Sequence, residues 1–301
     1  MANITAQMVK ELREKTSAGM LDCKKALAAT DGNMEEAVTW LREKGIAKAV
    51  KKEGAVAAEG LCSYAISGNK CVVFELNSQT DFVAQNEKFL NLLEKIGNIL
   101  IASNATNTEE ALNIDVEGKT LGTVILEASG VIGEKITLRR VQVLTKEANE
   151  VFGAYKHMRG KIITIATLVG NDDVVAKDIA MHVAALNPRY VSKNDIPADV
   201  IAKEREIILA AALNENATSA KPKPEKIVEE RIVPGRLDKN LKEICLLSQA
   251  FVKNPDQTVE AYVNGAKSSV KCFIRLEVGE GIEKKEVDFA AEVAAQSAAF
   301  N

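Results

Sequence analysis

Asp81 and Phe82 set an acid beside an aromatic inside Asn77-Ser-Gln-Thr-Asp-Phe-Val-Ala-Gln-Asn-Glu-Lys-Phe89, where a strand gives way to a helix. The preceding run, Cys71-Val-Val-Phe-Glu-Leu76, is β-branched and aromatic, whereas Phe82, Phe89, Leu93, Ile96 and Leu100 recur at helical spacing. Ser78 or Thr80 supplies the N-cap of a long helix predicted to begin near Thr80. Two readings of the pair stay open. In one, Phe82 staples the helix start and Asp81 is a first-turn acid favoured by the helix dipole. In the other, the acid and ring form a wedge that acts on another molecule's surface.

The remaining chemistry-bearing residues do not assemble a catalytic pattern. Gly118-Lys119-Thr120 has the tail of a phosphate-binding loop, but Asn113 stands where that loop needs its first glycine. Gly279-Glu-Gly281 lacks the third glycine of a dinucleotide fingerprint and opens no βαβ helix, so it reads as a loop. His157 falls in a strand with Tyr155 and His182 in a helix, neither with a neighbouring Ser or Cys arrangement that would make a nucleophile. Cys23, Cys62, Cys71, Cys245 and Cys272 are scattered, without a Cys-x-x-Cys pair, which argues against structural zinc. The reading is therefore no enzyme, no metal and no cofactor. Constellations built from distant residues escape such a reading.

With 301 residues, 47% hydrophobic and 27% charged, the chain can form two or three domains with cores of their own. Aromatic content of 4% with abundant alanine favours helices packed through small side chains. A net charge of -3 and a pI near 5.7 provide no basic field for a phosphate backbone, so the expected partner is a protein surface, not nucleic acid. The start lacks the pattern of a signal peptide, and no apolar run approaches the roughly 20 residues that cross a bilayer. A cytosolic chain with reduced thiols is expected.

Residues 1–55 read as three short helices, Thr5 to Lys15, Met20 to Ala28 and Met34 to Lys44, with Val9, Leu12, Leu27, Ala37, Trp40 and Leu41 inward. Asn33 with Glu36 makes a capping-box start to the third, and Gly45 stands where its C-cap is expected. Residues 46–60, rich in Ala, Lys and Gly, read as a tether. A strand, a Gly68-Asn69 turn and a second strand follow, then the helix near Thr80. The same order recurs from Gly153 to Val169, turning at Gly160, with a helix from Asp173 that carries Val175, Ile179, Val183 and Leu186. Gly160 lies 92 residues after Gly68 and Asp173 lies 92 after Asp81, and Asp173-Val-Val-Ala176 matches Asp81-Phe-Val-Ala84. Two copies of one hairpin-plus-helix unit are predicted, of which only the first carries the phenylalanine. Residues 136–144 and 270–278 read as further strands, the second followed by a helix from Asp288 to Gln296. Residues 196–244 read as a helical hairpin broken at Pro222-Lys-Pro224, either an arm for an outside contact or a solvated helix pair.

Five segments carry a resemblance: Ile4-Thr-Ala-Gln-Met-Val-Lys-Glu-Leu-Arg-Glu-Lys-Thr16, Ala18-Gly-Met-Leu-Asp-Cys-Lys-Lys-Ala-Leu27, Gln79-Thr-Asp-Phe-Val-Ala84, Ile179-Ala-Met-His-Val-Ala-Ala185 and Phe273-Ile-Arg-Leu-Glu-Val-Gly-Glu-Gly-Ile-Glu283. Together they resemble bacterial elongation factor Ts over nearly the whole chain. The resemblance implies an α+β fold with a ubiquitin-associated-like (UBA-like) three-helix domain at 1–55 and a linker to about residue 60. A core of two related antiparallel-hairpin-plus-helix subdomains is implied at 60–145 and at 146–195 with 245–284. A helical coiled-coil insertion at 196–244 and a C-terminal helical module at 285–301 complete it.

It further implies a cytoplasmic guanine-nucleotide exchange factor of translation whose partner is elongation factor Tu carrying GDP, with no direct nucleic-acid or membrane contact. Thr80, Asp81, Phe82 and Val83 match the family's partner-binding motif, of which Asp81 and Phe82 are implied to enter between helices of the partner's GTPase domain and promote loss of Mg²⁺ and then GDP, after which GTP displaces the factor. Arg13, Met20, Leu21 and Lys24 are implied on the same domain, as is the helix from about Val287. His157 is implied on another domain of the partner, and Ile132 in Val131-Ile-Gly-Glu134 is a lesser contact. Lys253, after Phe251-Val252, departs from the apolar residue often found there. Whether the helical insertion or the core joins two copies as a homodimer is left open. The alternative is a non-catalytic UBA-like binding scaffold.

Overall fold

The computed structural model describes residues 4–16, 18–52 and 54–283. Three helices come first, α1 (Ala6–Thr16), α2 (Met20–Ala29) and α3 (Met34–Lys51). Val9, Leu12, Cys23, Ala26, Leu27 and Ala37 are buried together, with Trp40 and Leu41 packed partly against them. Asn33 caps α3 as its sequence requires: Oδ1 accepts from the Glu35 and Glu36 N–H groups, and Nδ2 donates to Glu36. Gly45 corrects an expectation, because α3 runs through it to Lys51 and residues 46–51 are helix instead of tether. The reason is close packing. A Cβ on Gly130, in a later helix, would stand 2.5 Å from the Gly45 carbonyl oxygen, so a pair of glycines lets two helix backbones touch.

Beyond this bundle come β1 (Glu59–Ser67), β2 (Lys70–Ser78), the single turn α4 (Asp81–Ala84), α5 (Glu87–Ala102) and α6 (Thr108–Leu112). A two-residue antiparallel pair, β3 (Asp115–Val116) and β4 (Lys119–Thr120), precedes α7 (Leu121–Ile132) and β5 (Thr137–Thr145). Strand β2 is the middle of the sheet β1-β2-β5, which explains its nearly unbroken burial. Val72, Phe74 and Leu76 of β2 meet Phe89, Leu93, Ile96 and Leu100 of α5, together with Leu121, Ile125, Leu138 and Val141. The helix predicted to run from Thr80 is instead in two pieces. Helix α4 stops at Ala84, and Asn86 caps a new helix, its Oδ1 accepting from the Lys88 N–H at 2.9 Å.

A charge is buried in the same sheet. Glu75 is wholly covered and accepts from Arg139 at 2.8 Å, from Arg140, from the Asn77 amide at 2.9 Å and from the Gly279 N–H at 2.8 Å. Burial opposes its ionisation, but the Gly279 and Asn77 hydrogen bonds and the Arg140 charge outweigh it and hold the carboxyl below the ordinary 4.5. Gly279-Glu-Gly281 is thus a loop, as read from the sequence, and its first amide serves Glu75.

The second half contains β6 (Glu150–His157), β7 (Ile162–Val169), α8 (Asp173–Leu186), α9 (Ala198–Ala217) and α10 (Glu225–Ile227), which continues through one π-turn into α11 (Val233–Glu243). The short strands β8 (Ala250–Phe251) and β9 (Asn254–Thr258), then α12 (Val259–Gly265) and β10 (Ser269–Glu277), complete the described elements. β6 and β7 pair antiparallel from Glu150 opposite Val169 to His157 opposite Ile162, in a sheet ordered β10-β7-β6. Val175, Ala176, Ile179 and Val183 of α8 are buried with Leu168, Phe251, Val259 and Val263. Helices α9 and α11 form an arm with a small core of its own at Ile208, Ala212, Val228 and Val233. The chain is α+β, with N-terminal helices and several small antiparallel sheets. Its described residues separate into two units, residues 4–65, 72–143 and 277–283 in one and 66–71 and 144–276 in the other. The C-terminal module expected at 285–301, with its helix from Val287 or Asp288, lies outside the described residues.

Candidate functional site

The turn after β2 projects two adjacent residues from between anchored ones. Thr80 is extended, and its Oγ1 accepts from the Val83 N–H at 3.4 Å, a long bond for a cap. Ser78, the other predicted cap, is buried and donates its hydroxyl to the Thr80 carbonyl at 2.9 Å. Gln85 and Asn86 close the turn through N–H bonds to the Phe82 and Val83 carbonyls at 3.3 and 3.0 Å. Val83 packs partly against the core and Ala84 is buried. Asp81 is exposed, and the Phe82 ring is 81% exposed. The staple reading of Phe82 does not hold, because the break at Gln85 and Asn86 takes the ring off the buried face of α5. The ring does almost nothing for its own fold.

Under the turn sits a carboxylate that sequence reasoning missed. Glu134 Oε2 accepts from the Gln79 N–H at 3.1 Å and the Thr80 N–H at 3.0 Å, and Oε1 accepts from the Thr80 hydroxyl at 2.7 Å. Glu134 reaches there because Gly133 ends α7 in the left-handed region at φ 89°, its N–H returning to the Ser129 carbonyl at 2.9 Å. The Ser129 hydroxyl then accepts from the Ile136 N–H at 3.0 Å, so the loop carrying Glu134 is tied on both sides. Fifty-four residues separate Glu134 from Thr80. No local pattern could have linked them; the only hint was a glycine after a helix.

The other candidates fall in three places. Arg13 of α1 and Met20, Leu21 and Lys24 of α2 are all exposed, the two apolar ones at 60% and 74%, while Cys23, Ala26 and Leu27 face the bundle interior. Ile132, at the end of α7, is half-buried and packs against the first core. His157 ends β6 half-buried in the other unit, its ring stacked on Tyr155 at 5.9 Å. The second copy of the motif is held differently. Asp172 caps α8 directly, its Oδ1 accepting from the Val174 and Val175 N–H groups at 3.0 Å each, and Val174, the counterpart of Phe82, is 68% exposed.

Several remaining polar residues serve the fold. His182 is buried: Nδ1 accepts from the Val252 N–H at 3.1 Å, which leaves Nε2 protonated and donating to Gln249 Oε1 at 2.9 Å. Burial pushes its pKa below the ordinary 6.5 against the opposing Gln249 bond. Lys253, the departure from the expected apolar residue, pairs with Asp178, which also accepts from the Tyr262 hydroxyl at 2.9 Å. Lys119, of the truncated phosphate-loop motif, pairs with Glu127 at 3.0 Å. The projecting turn presents a carboxylate and a ring side by side on an anchored foot. Such an exposed pair is suited to contact with another surface.

Comparison with known proteins bears on what it binds. A family model described as elongation factor TS matches residues 79–280, a span that starts at the foot of this turn. Elongation factor Ts of Acholeplasma laidlawii (strain PG-8A) is 52% identical over 294 residues, covering 97% of this chain and 98% of that relative.

Proposed function

The chain belongs to the elongation factor Ts family, and from that premise we propose that the Asp81–Phe82 turn is the lever with which it opens the nucleotide site of elongation factor Tu. Members of the family are nucleotide exchange factors for elongation factor Tu in translation elongation, not enzymes. Exchange needs no covalent step. A GTPase holds GDP through backbone amides on the phosphates and a Mg²⁺ that offsets their charge. A ring and a carboxylate pressed against the helices beside that site disturb the metal's surroundings. Without the metal the phosphates lose their main counter-charge, and GDP leaves.

Coupling between two ligands of one protein is reciprocal, so a factor that loosens nucleotide is itself loosened by nucleotide, and incoming GTP displaces it. Each ~1.4 kcal/mol of coupling changes affinity about tenfold. Arg13, Met20, Leu21 and Lys24 are assigned to the same GTPase domain, and Ile132, half-buried at the end of α7, is a lesser candidate beside His157. His157 is assigned to another domain of the partner. The corresponding division is 1–55 and 60–145 toward the GTPase domain, 146–195 with 245–284 toward the other, and 196–244 as the arm. We assign the protein to the cytoplasm on family grounds; among the described residues no helix is long and apolar enough to cross a membrane.

The observation that carries the proposal is the exposure of Phe82 on a turn whose flanking residues are anchored. The test is release of fluorescent GDP from purified elongation factor Tu, with and without this chain. Acceleration is expected, and an unchanged release rate refutes the assignment.

A further inference from the structure

Phe82 is useful as a lever only if it points in one direction, and the turn that carries it cannot hold itself. Helix α4 has four residues, too few to offset the cost of nucleating a helix, and its own cap bond is 3.4 Å long. Two backbone donors, at Gln79 and Thr80, emerge where β2 ends, and a half-buried donor without an acceptor is unfavourable. We propose that Glu134 is a positioning residue for exchange: its carboxylate fixes the Gln79–Thr80 backbone and thereby the direction in which Phe82 projects. The inference rests on the reading of Phe82 given above.

Four observations favour it. The two Glu134 oxygens take three donors at the foot of the turn, and bonds to an ionised acceptor are stronger than neutral ones. Among the described residues Glu134 makes no ion pair, so its hydrogen bonds all go to this corner. It is also fixed from behind, since Gly133 and the Ser129–Ile136 bond hold its loop and Lys52 donates to the Gly133 carbonyl. The second copy of the motif supplies the contrast. There Asp172, at the position of Thr80, caps α8 with two bonds of 3.0 Å, and the helix that follows runs to Leu186. The first copy has threonine in that place and a broken helix after it, and a carboxylate from 54 residues away takes over the anchoring.

The experiment uses the full chain with Glu134→Ala, Phe82→Ala, both together, and Glu134→Gln. The readouts are GDP release from elongation factor Tu at saturating factor, amide hydrogen exchange, and thermal unfolding. Loss of these charge-assisted bonds is expected to slow release about tenfold in Glu134→Ala. Amide protection falls at residues 79–84 while the rest of the chain and its unfolding temperature change little. Glutamine, which keeps an acceptor oxygen, recovers much of the rate. In the Phe82→Ala background, Glu134→Ala has no further effect on release, because the residue acts through the ring. A purely structural role would instead lower the unfolding temperature and slow release by the same factor in both backgrounds, which overturns the inference. So does an unchanged rate in Glu134→Ala when Phe82→Ala is slow. If Phe82→Ala releases GDP at the wild-type rate, the reading of Phe82 falls and this inference falls with it.

Discussion

Two phenylalanines on either side of one helix break should answer to alanine in opposite ways. Phe82 is 81% exposed, and Phe89, in the first turn of α5, is wholly buried in the first core. Fully burying a phenylalanine is worth about 1.5–3 kcal/mol, so the fifth of Phe82 that is covered contributes only about 0.5 kcal/mol. For a chain of this size Phe82→Ala should lower the unfolding temperature by no more than about 2 °C. Phe89→Ala removes a packed ring and leaves a cavity, at a cost of about 3–5 kcal/mol and a fall of roughly 10 °C. The order reverses in function. A ring at the centre of an interface costs at least about 2 kcal/mol when truncated, so Phe82→Ala should slow GDP release at limiting factor about thirtyfold or more. Phe89→Ala, assayed below its unfolding temperature, should stay much closer to wild type. Calorimetry and fluorescent-GDP release on the same preparations decide the matter. If Phe82→Ala melts as early as Phe89→Ala, the ring is packed and the exposure argument is wrong. If it exchanges within about twofold of wild type, the ring has no part in exchange.

Three further outcomes follow from the packing and the buried charges. Gly130→Ala would bring a methyl to 2.5 Å from the Gly45 carbonyl oxygen, backbone against backbone, and should destabilise by about 1–3 kcal/mol in thermal or denaturant unfolding; an unchanged midpoint refutes the close contact of α3 and α7. Glu75→Ala leaves Arg139 and Arg140 without their buried partner and should cost about 3–5 kcal/mol. Because the folded Glu75 carboxyl sits below its ordinary 4.5, its stabilisation is full above that pH and is lost as pH falls through the folded value, so Glu75→Gln should flatten the acid limb of stability. His182 behaves as a buried base whose folded pKa is below 6.5: the unfolded chain takes up its proton first, and stability falls as pH drops below 6.5. An NMR titration of its ring with a midpoint at or above 6.5 would contradict the Val252–His182–Gln249 arrangement.

Much of the architecture was legible because its causes are local. Asn33 before Met34 announced a helix start, and the glycine turns with alternating runs announced two hairpins, each with a helix after it. The misreadings share a different cause. Gly45 looked like a cap because a glycine at the end of a periodic stretch usually is one, and only Gly130, far along the chain, makes it a contact between helices. The staple reading of Phe82 arose because its spacing agreed with Phe89 and Leu93. Asn86, a good N-cap in front of Glu87, was the signal that the helix restarts there.

By itself the sequence determined most of the described helices, the two hairpins and the identity of the acid and ring at the first hairpin's corner, since periodicity, capping and turn chemistry act within a few residues. Only the tertiary structure decided which side of that corner faces solvent and what holds it there. A one-turn helix has no buried stripe of its own, so its orientation is imposed by β2, by the core behind Val83 and by a carboxylate that arrives from the end of α7.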